Sequence, residues 1–413
     1  MTTRRLYLDN AATTFPKPRR VHDAMADYAT NLGASPGRGS YAESIEGARL
    51  IRTCRERLNT LINGETPDNI VFTLNTSDAL NLAIKGLVTH RRRRIASRNE
   101  NKPVHIVTSD MDHNSILRPL NALAADPLGP PVTFTRVKAD PHTGLIDPAE
   151  LRNAITKGTV LVALHHASNV TGTLQPAADF GTVCRDMGVP LLLDAAQTAG
   201  RLPIDVQRDA IDMLAVPGHK ALLGPLGTAA LYIRPGLESQ LITQREGGTG
   251  TVSEDDTHPD TMPDKFEPGS HNTLGIVGLS EGIAWLQERT VETVRSDEVA
   301  LNQRILNALK NKPAFPGLQL LGPSDPARTE DRVGVFTFTH DSIDPHELAT
   351  LLETEFNILT RAGIHCAPHA HNTLSTTDRG GTLRISLSPF ITPQDIEYTL
   401  NALSTLCTQT ANV

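Results

Sequence analysis

Leu191-Leu192-Leu193-Asp194-Ala195-Ala196-Gln197 and Ala215-Val216-Pro217-Gly218-His219-Lys220 are the two stretches that decide the fold. Each is a short apolar run with a charged residue at or just beyond its end. Continuous apolar runs of this length are typical of strands buried on both faces of a parallel sheet. Similar runs alternate with helical patterns from about residue 68 to residue 233. The sequence therefore predicts an α/β fold whose mostly parallel central sheet is flanked by helices.

The rest of the chain indicates a second, smaller unit. Residues 243–273 lack apolar periodicity, and a loop of that length inside a compact protein is usually functional. Two helical patterns and a smaller α+β unit follow, and the final helix is predicted to begin with Thr392 as its N-cap and proline at its first position. We therefore expect a large domain over residues 15–285 and a small domain built from residues 1–14 and 286–413.

The charge of the chain limits its partners. Its 413 residues carry 39 basic and 46 acidic side chains, a net charge of −7, which argues against a nucleic-acid or anionic-membrane surface. We expect the basic run Arg91–Arg94 to lie in a solvated loop between elements, and the alternative is a docking patch for an acidic partner. No secretory signal opens the chain and no apolar run approaches the ~18 residues that span a bilayer. We therefore expect a cytoplasmic protein with no membrane partner.

The cysteines fall into two kinds. Four cysteines in a chain of this length do not form a disulfide framework. Cys54, Cys184 and Cys407 each belong to an apolar stripe with helical spacing, and we expect them to be core residues. Cys366 lies instead in Arg361–His371, among glycine, proline and three histidines, where no such stripe exists. It is the cysteine without a packing role.

Asp194 and Lys220 suggest the chemistry of the site. A carboxylate at the end of a fully apolar strand needs a cationic partner, because an unpaired buried charge is costly. A lysine just past a neighbouring buried strand can lose its proton more readily and form a Schiff base. Pyridoxal phosphate requires both groups, a lysine for its aldehyde and a carboxylate for its pyridinium nitrogen. Each residue alone has a simpler explanation, such as a structural salt bridge, but together they predict this cofactor.

The segment Leu74-Asn75-Thr76-Ser77-Asp78 is a candidate phosphate site, because it joins a predicted strand to a predicted helix. Hydroxyls and free backbone N–H groups at a helix N-terminus can bind a phosphate, although a plain Ser or Thr N-cap is the alternative. A Walker phosphate loop and a G-x-G-x-x-G after a strand are both absent from the sequence, which excludes mononucleotide and NAD sites of those types.

A series of motifs supports this prediction along nearly the whole chain. In order they are Tyr7–Thr14, Met111–His113, His166–Gly172, Asp194–Gln197, Gly218–Lys220, Arg361–Ala367 and Leu383–Ser386. With them the chain resembles the class V aminotransferase-like, fold-type I pyridoxal-phosphate enzymes, and within these the cysteine desulfurase and selenocysteine lyase group. The segment Arg361–Ala367 in particular is similar to the short catalytic loop of group II desulfurases. The resemblance implies a homodimeric sulfurtransferase that converts L-cysteine to L-alanine and passes the sulfur to an acceptor, such as another protein.

The resemblance also implies roles for individual residues. Lys220 would hold the cofactor and move the substrate Cα proton, and Asp194 would pair with the pyridine nitrogen. His113 would stack on the ring and exchange a proton with the substrate sulfur. Arg384 would bind the substrate carboxylate, and Cys366 would attack the substrate sulfur and become a persulfide. The other expected contacts are Thr76, Ser77, His219 and the second subunit's Ser270 with the phosphate, Asn169 and Gln197 with the ring oxygen and substrate, and Arg361 and, across the dimer, Arg38 with the substrate.

Alternatives remain for several of these residues. For His113 the alternative is a local hydrogen bond at a helix start, and for Arg384 it is a surface position on an edge strand. For Cys366 it is a metal site, although the spacing is crowded for closed zinc coordination and we predict no metal; its ligands would be His365, Cys366, His369 and His371. For the whole protein the alternatives are selenocysteine lysis, C–S lysis of a thioether, transamination, or a binding role without catalysis.

The chain also departs from the family pattern. Pro217 stands where the family usually has a serine whose hydroxyl contacts the phosphate, so that hydrogen bond is missing or replaced. Ile364 replaces a histidine that is common in group II enzymes, and Asn372–Gly381 differs from the corresponding part of the usual metabolic desulfurases. These departures leave the expected cofactor chemistry intact and weaken the case for a housekeeping iron–sulfur enzyme.

Overall fold

A computed structural model describes residues 5–411 of the chain. Its α-helices are α1 (Arg19–Asp27), α2 (Ala42–Leu61), α3 (Thr76–Ala96), α4 (Asn114–Ala125), α5 (Pro148–Ala154), α6 (Ala177–Met187), α7 (Thr273–Arg289), α8 (Val291–Leu309), α9 (Pro345–Phe356), α10 (Pro368–Thr373) and α11 (Pro393–Ala411). Its strands are β1 (Leu6–Tyr7), β2 (Ile70–Thr73), β3 (Val104–Ser109), β4 (Val132–Val137), β5 (Thr159–His165), β6 (Leu191–Asp194), β7 (Met213–Pro217), β8 (Ala229–Ile233), β9 (Leu318–Leu321), β10 (Val335–His340), β11 (Ile358–Leu359), β12 (Arg361–Gly363) and β13 (Thr382–Ser386).

The central sheet has seven strands in the order β2-β8-β7-β6-β5-β3-β4. β8 runs antiparallel to both of its neighbours and the other pairings are parallel, so the sheet is mostly parallel, as predicted. Every residue of β6, β7 and β8 is buried. Alternate residues of β6 enter different apolar clusters, Leu191 and Leu193 on one face and Leu192 on the other. The predicted α/β fold class is confirmed.

The order of the strands brings the two stretches quoted first to one edge of the sheet. β5, β6 and β7 are parallel neighbours, so their carboxyl ends meet there. Asp194 is the last residue of β6, and Lys220 follows the end of β7 by three residues. The turn before Lys220 requires glycine, because a Cβ on Gly218 would overlap the side chain and backbone of Thr228. This edge of the sheet is where a ligand of an open α/β fold is expected.

A smaller antiparallel sheet, of strand order β12-β13-β10-β9, is built from the C-terminal part of the chain. β1 pairs in parallel with β11, and its Leu6 joins an apolar cluster with residues of α8, α9 and α11. This pairing supports the proposed assignment of the N-terminal segment to the small domain; residues 1–4 and 412–413 of that assignment lie outside the described residues.

One expectation about the charged segments is wrong. α3 continues to Ala96, so Arg91–Arg94 lie on a helix and not in a loop. Arg92 is only 6% exposed; its Nη1 donates to Asp126 Oδ2 (2.6 Å) and its Nε to the Pro130 carbonyl (2.9 Å). Arginine is a good helix former, and its long aliphatic stem can occupy a buried position that a sequence pattern assigns to apolar residues.

The predictions for the cysteines are confirmed. Cys54, Cys184 and Cys407 are buried in apolar clusters, and Cys366 is exposed. α11 also begins as predicted, since Thr392 Oγ1 accepts a hydrogen bond from the Asp395 N–H (3.2 Å). Within residues 5–411 no helix has the length and apolar character needed to span a bilayer.

Candidate active site

A cavity of about 250 Å³ opens at the carboxyl ends of β5 and β6, and residues of β12 and β13 complete its wall. It brings together residues that lie more than 300 positions apart in the chain. The predicted site residues that line it are Thr76, Ser77, His113, Asn169, Asp194, Gln197, His219, Lys220, Arg361 and Arg384. Ser270, Arg38 and the Cys366 side chain do not line it.

Asp194 and Lys220 are the central charged pair of this cavity. Asp194 is 4% exposed, and its Oδ1 accepts a hydrogen bond from the Ala196 N–H (2.9 Å). Burial raises the pKa of Asp194, and the charge of Lys220 opposes that shift. Burial also lowers the pKa of Lys220 to about 8, while Asp194 acts in the opposite direction. A cationic ring nitrogen beside Asp194 would stabilise the carboxylate, and Lys220 has a larger neutral fraction near neutral pH than an exposed lysine has.

Two helix N-termini form the wall expected to hold a phosphate. The N-cap of α3 is Asn75, whose Oδ1 accepts from the Asp78 N–H (2.9 Å). The alternative that Thr76 or Ser77 is a plain N-cap is therefore wrong. Ser77 Oγ lies 2.6 Å from Ser115 Oγ in the first turn of α4, so the two helix ends meet at the cavity. The first-turn N–H groups of α3, the hydroxyls at both helix ends and the positive ends of the two helix dipoles fit a phosphate.

His219 completes this wall from the β7 side. Its Nδ1 is buried and has no hydrogen-bond partner, which leaves it available to a ligand. Burial lowers the pKa of His219 to about 4, so its ring is neutral at physiological pH. Pro217, the last residue of β7, has neither a hydroxyl nor an N–H to offer. The hydrogen bond of the usual family serine is therefore absent at this position.

His113 both caps α4 and lines the cavity, so the two interpretations of this residue are compatible. Its Nδ1 accepts a hydrogen bond from the Ser115 N–H (3.1 Å). Burial lowers the pKa of His113 to about 4, and the charge of Lys220 adds to that effect. Because Nδ1 accepts, the neutral ring carries its proton on Nε2.

Arg384 is a buried cation on an inner strand. It is 2% exposed, and β13 is paired on both sides, so the alternative of a surface edge position is wrong. Its Nη2 contacts Asp9 Oδ1 (2.6 Å) and its Nη1 the Asn169 carbonyl (3.2 Å), while its buried Nε has no partner. Arg361 lies opposite Arg384 in the β12–β13 register. Two guanidinium groups therefore face one wall of the cavity, which suits a carboxylate ligand.

The two cavity amides also hold neighbouring segments in place. Gln197 Nε2 donates to the Ala11 carbonyl (3.1 Å) of the N-terminal segment. Asn169 Nδ2 donates to the His365 carbonyl (2.7 Å), directly before Cys366.

Cys366 is held at the rim of the cavity in an unusual backbone conformation. Both His365 (φ 51°) and Cys366 (φ 59°) are left-handed, which is costly for side chains other than glycine and often marks functional sites. The Asn114 N–H donates to the Cys366 carbonyl (2.8 Å), and Arg361 Nη2 lies 3.9 Å from Cys366 Sγ. Arg361 and His365 line the cavity, so the exposed thiol lies beside its opening.

Ser270 and Arg38 lie outside this cavity in the structure. Ser270 lines a separate cavity together with Leu74 and Glu267. Arg38 is exposed, and its Nη2 lies 3.5 Å from the Gly248 carbonyl. Neither residue lines the cavity of its own chain.

The histidines near Cys366 make hydrogen bonds of their own. His365 Nε2 contacts the Thr382 carbonyl (3.1 Å), and His371 Nδ1 contacts Thr376 Oγ1 (2.7 Å). In the part of the chain that the structure describes, no group of three or more His, Cys, Asp or Glu residues is arranged to hold a metal ion.

Sequence reasoning missed a buried pair beside Asp194. His165 lines the cavity at the end of β5, next to Asp194 in the sheet register. Its Nδ1 lies 2.7 Å from Oδ1 of the fully buried Asp112, whose Oδ2 accepts from the Thr108 hydroxyl (2.7 Å). The available signal was that His165 is a polar residue at the end of a buried strand, as Asp194 is.

The chain is similar to several known proteins over nearly its full length. A family model described as Aminotransferase class-V matches residues 6–399. A probable cysteine desulfurase of Methanothermobacter thermautotrophicus is 33% identical over 395 residues, which cover 95% of this chain and 92% of the relative. The cysteine desulfurase IscS of Clostridium botulinum is 30% identical, over 98% of this chain and 95% of the relative. The apo structure of a cysteine desulfurase from Thermococcus onnurineus has a TM-score of 0.86 at 28% identity. The match covers 98% of this chain and 95% of the chain in that structure. The Escherichia coli cysteine desulfurase CsdA (S-sulfonic acid) has a TM-score of 0.82 at 26% identity, with the same two coverages.

Proposed function

We propose that this chain, which belongs to the aminotransferase class-V family, is a pyridoxal-phosphate-dependent cysteine desulfurase that converts L-cysteine to L-alanine and leaves a persulfide on Cys366. Relatives named cysteine desulfurase match it over nearly its full length. The observation that carries the proposal is one arrangement: Lys220 and Asp194 share a cavity beside which an exposed Cys366 is held with Arg361 Nη2 at 3.9 Å.

The residues of the cavity fit the cofactor. Asp194 would pair with the pyridine nitrogen, the first turn of α3 with Thr76 and Ser77 would bind the phosphate, and the unpartnered Nδ1 of His219 would add a contact. When bound, pyridoxal phosphate supplies an electron-withdrawing ring that makes the substrate Cα–H bond easier to break.

Lys220 and His113 are the proton-transfer groups that we propose. The pKa of Lys220 is lowered to about 8, so its amine can both react with an aldehyde and accept a Cα proton near neutral pH. His113 is neutral and carries its proton on Nε2, so this N–H can donate a hydrogen bond to the substrate sulfur and exchange a proton with it. Arg384 would bind the substrate carboxylate with its buried guanidinium group, and Arg361 beside it would assist.

Cys366 would then take the sulfur. Its Sγ attacks the substrate sulfur, an S–S bond forms, and the C–S bond of the substrate breaks. The substrate Cβ keeps the electron pair of the broken bond and takes up the proton that Cys366 loses, which yields alanine, while the transferred sulfur keeps its proton as the outer S–H of the persulfide. Atoms and electrons balance without an added oxidant, because L-cysteine and a thiol become L-alanine and a persulfide. A second thiol or an acceptor protein would remove the sulfur.

We also propose a homodimer in which the partner's Ser270 and the partner's Arg38 complete each site. The support is that Ser270 and Arg38 belong to the expected site residues, yet neither lines the cavity of its own chain.

The test is to incubate the purified protein with L-cysteine and a reducing thiol and to quantify sulfide and alanine. We expect equal amounts of the two products. Pyruvate without alanine would mean C–S lysis and would contradict the desulfurase proposal. Selenocysteine turnover that Cys366→Ser leaves unchanged would favour the lyase alternative.

A further inference from the structure

Lys17 lies in the segment between β1 and α1 and contacts the backbone directly before Lys220. Its Nζ donates to the carbonyl oxygens of Thr14 (3.0 Å) and His219 (3.0 Å). The same His219 oxygen accepts hydrogen bonds from Thr13 Oγ1 (3.1 Å) and from the Thr14 N–H (3.1 Å). Three donors of the N-terminal segment therefore converge on the peptide unit that joins His219 to Lys220.

The segment that supplies these donors is itself held firmly. Asn10 is fully buried, its Nδ2 donates to the Ser386 carbonyl (3.0 Å), and its Oδ1 accepts from the Phe15 N–H (3.1 Å). Asn10 thus fixes the chain on both sides of Thr13 and Thr14. Because the three donors belong to a fixed segment, their hydrogen bonds can hold the His219–Lys220 peptide unit in a defined position.

Among the described residues, Lys17 has no carboxylate partner that would make it part of a structural ion pair. It is partly buried, and within residues 5–411 no carboxylate lies within 4.0 Å of its Nζ. Burial lowers the pKa of Lys17 to about 8, which means that its charge is poorly solvated where it lies. An unpaired, partly buried cation is costly to the fold, so its contacts with the Lys220 backbone are better explained by the function of the site.

We propose that Lys17 is a positioning residue that fixes the His219–Lys220 peptide unit and thereby aims the Lys220 amine at the cofactor. The inference rests on the proposed pyridoxal-phosphate site. It predicts that Lys17 affects how firmly the cofactor is held and how fast the Cα proton moves, and that it leaves the binding of the substrate carboxylate unchanged.

The experiment compares the holoenzyme with Lys17→Met, with Lys17→Arg, which keeps a cationic donor, and with Lys310→Met at an exposed lysine. We expect Lys17→Met to release pyridoxal phosphate about 10-fold faster and to lose a similar factor in kcat, with KM for L-cysteine within about 2-fold. The rise in Tm that added cofactor produces should shrink in Lys17→Met. Lys17→Arg should recover most of each loss, and Lys310→Met should match the wild type.

The outcomes separate this inference from the proposed function. A wild-type protein that binds no pyridoxal phosphate contradicts the proposed function itself. If the wild type binds it and Lys17→Met lowers the Tm of the apo and holo forms equally, with unchanged cofactor release, the role of Lys17 is structural and the inference is wrong. Should Lys17→Met fail to fold, Thr13→Val removes another donor to the same oxygen. Wild-type cofactor release in Thr13→Val would then overturn the inference.

Discussion

At the residue scale, Lys220 has two properties that few lysines share. It lies in a cavity with a buried carboxylate, and burial lowers its pKa to about 8. Only the neutral amine reacts with an aldehyde, and the neutral fraction grows as the pH rises through the pKa. We therefore expect the rate of cofactor capture by the apoprotein to be half-maximal near pH 8, where half of the amine is neutral, and to level off about one pH unit higher. Stopped-flow absorbance after addition of pyridoxal phosphate measures this rate.

The variant that removes this amine is Lys220→Ala. It should show no covalent cofactor band and should lose activity by about 10²–10⁴-fold or more, because it removes both the attachment group and the proton carrier. Lys157→Ala changes an exposed lysine and is the control. A Lys220→Ala protein with the wild-type spectrum would exclude Lys220 as the attachment site.

Cys366 and Cys407 are predicted to respond to the same substitution in opposite ways. Cys366→Ser should lower sulfide and alanine formation on the order of 100-fold while leaving the Tm unchanged, because the thiol is exposed and is the proposed sulfur acceptor. Cys407→Ser should keep its specific activity and lose about 1–3 kcal/mol of stability, because it places a hydroxyl in an apolar cluster. Product assays and thermal unfolding distinguish the two. Equal activity of Cys366→Ser and the wild type would contradict the persulfide step.

The site residues differ in how far they could be predicted. Asp194 and Lys220 are charged groups at the ends of apolar runs, and elementary electrostatics identifies such positions. The hydrogen bond between Asn75 and the Asp78 N–H, which keeps the Thr76 and Ser77 hydroxyls out of the helix cap, depends on one local backbone geometry. His165 stands at the end of a buried strand and could have been singled out, but its contact with Asp112 could not, because that contact joins two segments through tertiary packing.

At the element scale, α3 gives a stability prediction. Arg92→Ala would remove donors from the Pro130 carbonyl and from Asp126, so we expect a loss of about 1–3 kcal/mol in the free energy of unfolding. Its neighbour Arg93 is exposed on the same helix, and Arg93→Ala should stay within about 0.5 kcal/mol of the wild type. Denaturant unfolding of both variants measures the difference. Equal stability of the two would mean that the Arg92 contacts contribute nothing to the fold.

The wrong prediction that Arg91–Arg94 lie in a loop has a general physical cause. Charged residues in a row lack the apolar periodicity on which helix prediction depends, yet Arg91–Arg94 continue the helix. Arg92 can be buried there because its guanidinium group has hydrogen-bond partners in Asp126 and Pro130. The inner strands β6, β7 and β8 of the central sheet were easier to predict, since each is almost entirely apolar and fully buried. The short strand β12 escaped prediction, because Arg361–Gly363 contains no apolar run and is defined by its pairing with β13.

At the scale of the whole molecule, the site is shared between distant parts of the chain. The N-terminal segment contacts Arg384 through Asp9 and holds the backbone before Lys220 through Lys17, while Asn169 of the central sheet region holds the segment of Cys366. The relative placement of these parts therefore fixes the geometry of the proposed reaction. Periodicity describes one element at a time, so the sequence alone could indicate these segments but not their mutual contacts.

The proposed dimer leads to the last prediction. Arg38 is exposed and does not line the cavity of its own chain, so its expected role in substrate binding requires a second subunit. Arg38→Ala and Lys220→Ala should each be inactive as pure dimers, since each lacks one residue in both sites. A mixed dimer would contain one complete site, with Lys220 from one subunit and Arg38 from the other, and one site that lacks both residues.

Refolding an equal mixture of the two variants tests this arrangement. Random pairing makes half of the dimers mixed, and each mixed dimer has one of two sites intact, so activity should recover to about a quarter of the wild-type value. Mixing Lys220→Ala with Cys366→Ser is the matched control, because both residues belong to the same chain's proposed site. In that mixture one site of each mixed dimer lacks Lys220 and the other lacks Cys366, so no activity should return. Recovery in both mixtures, or in neither, would contradict a site completed by Arg38 of the partner subunit.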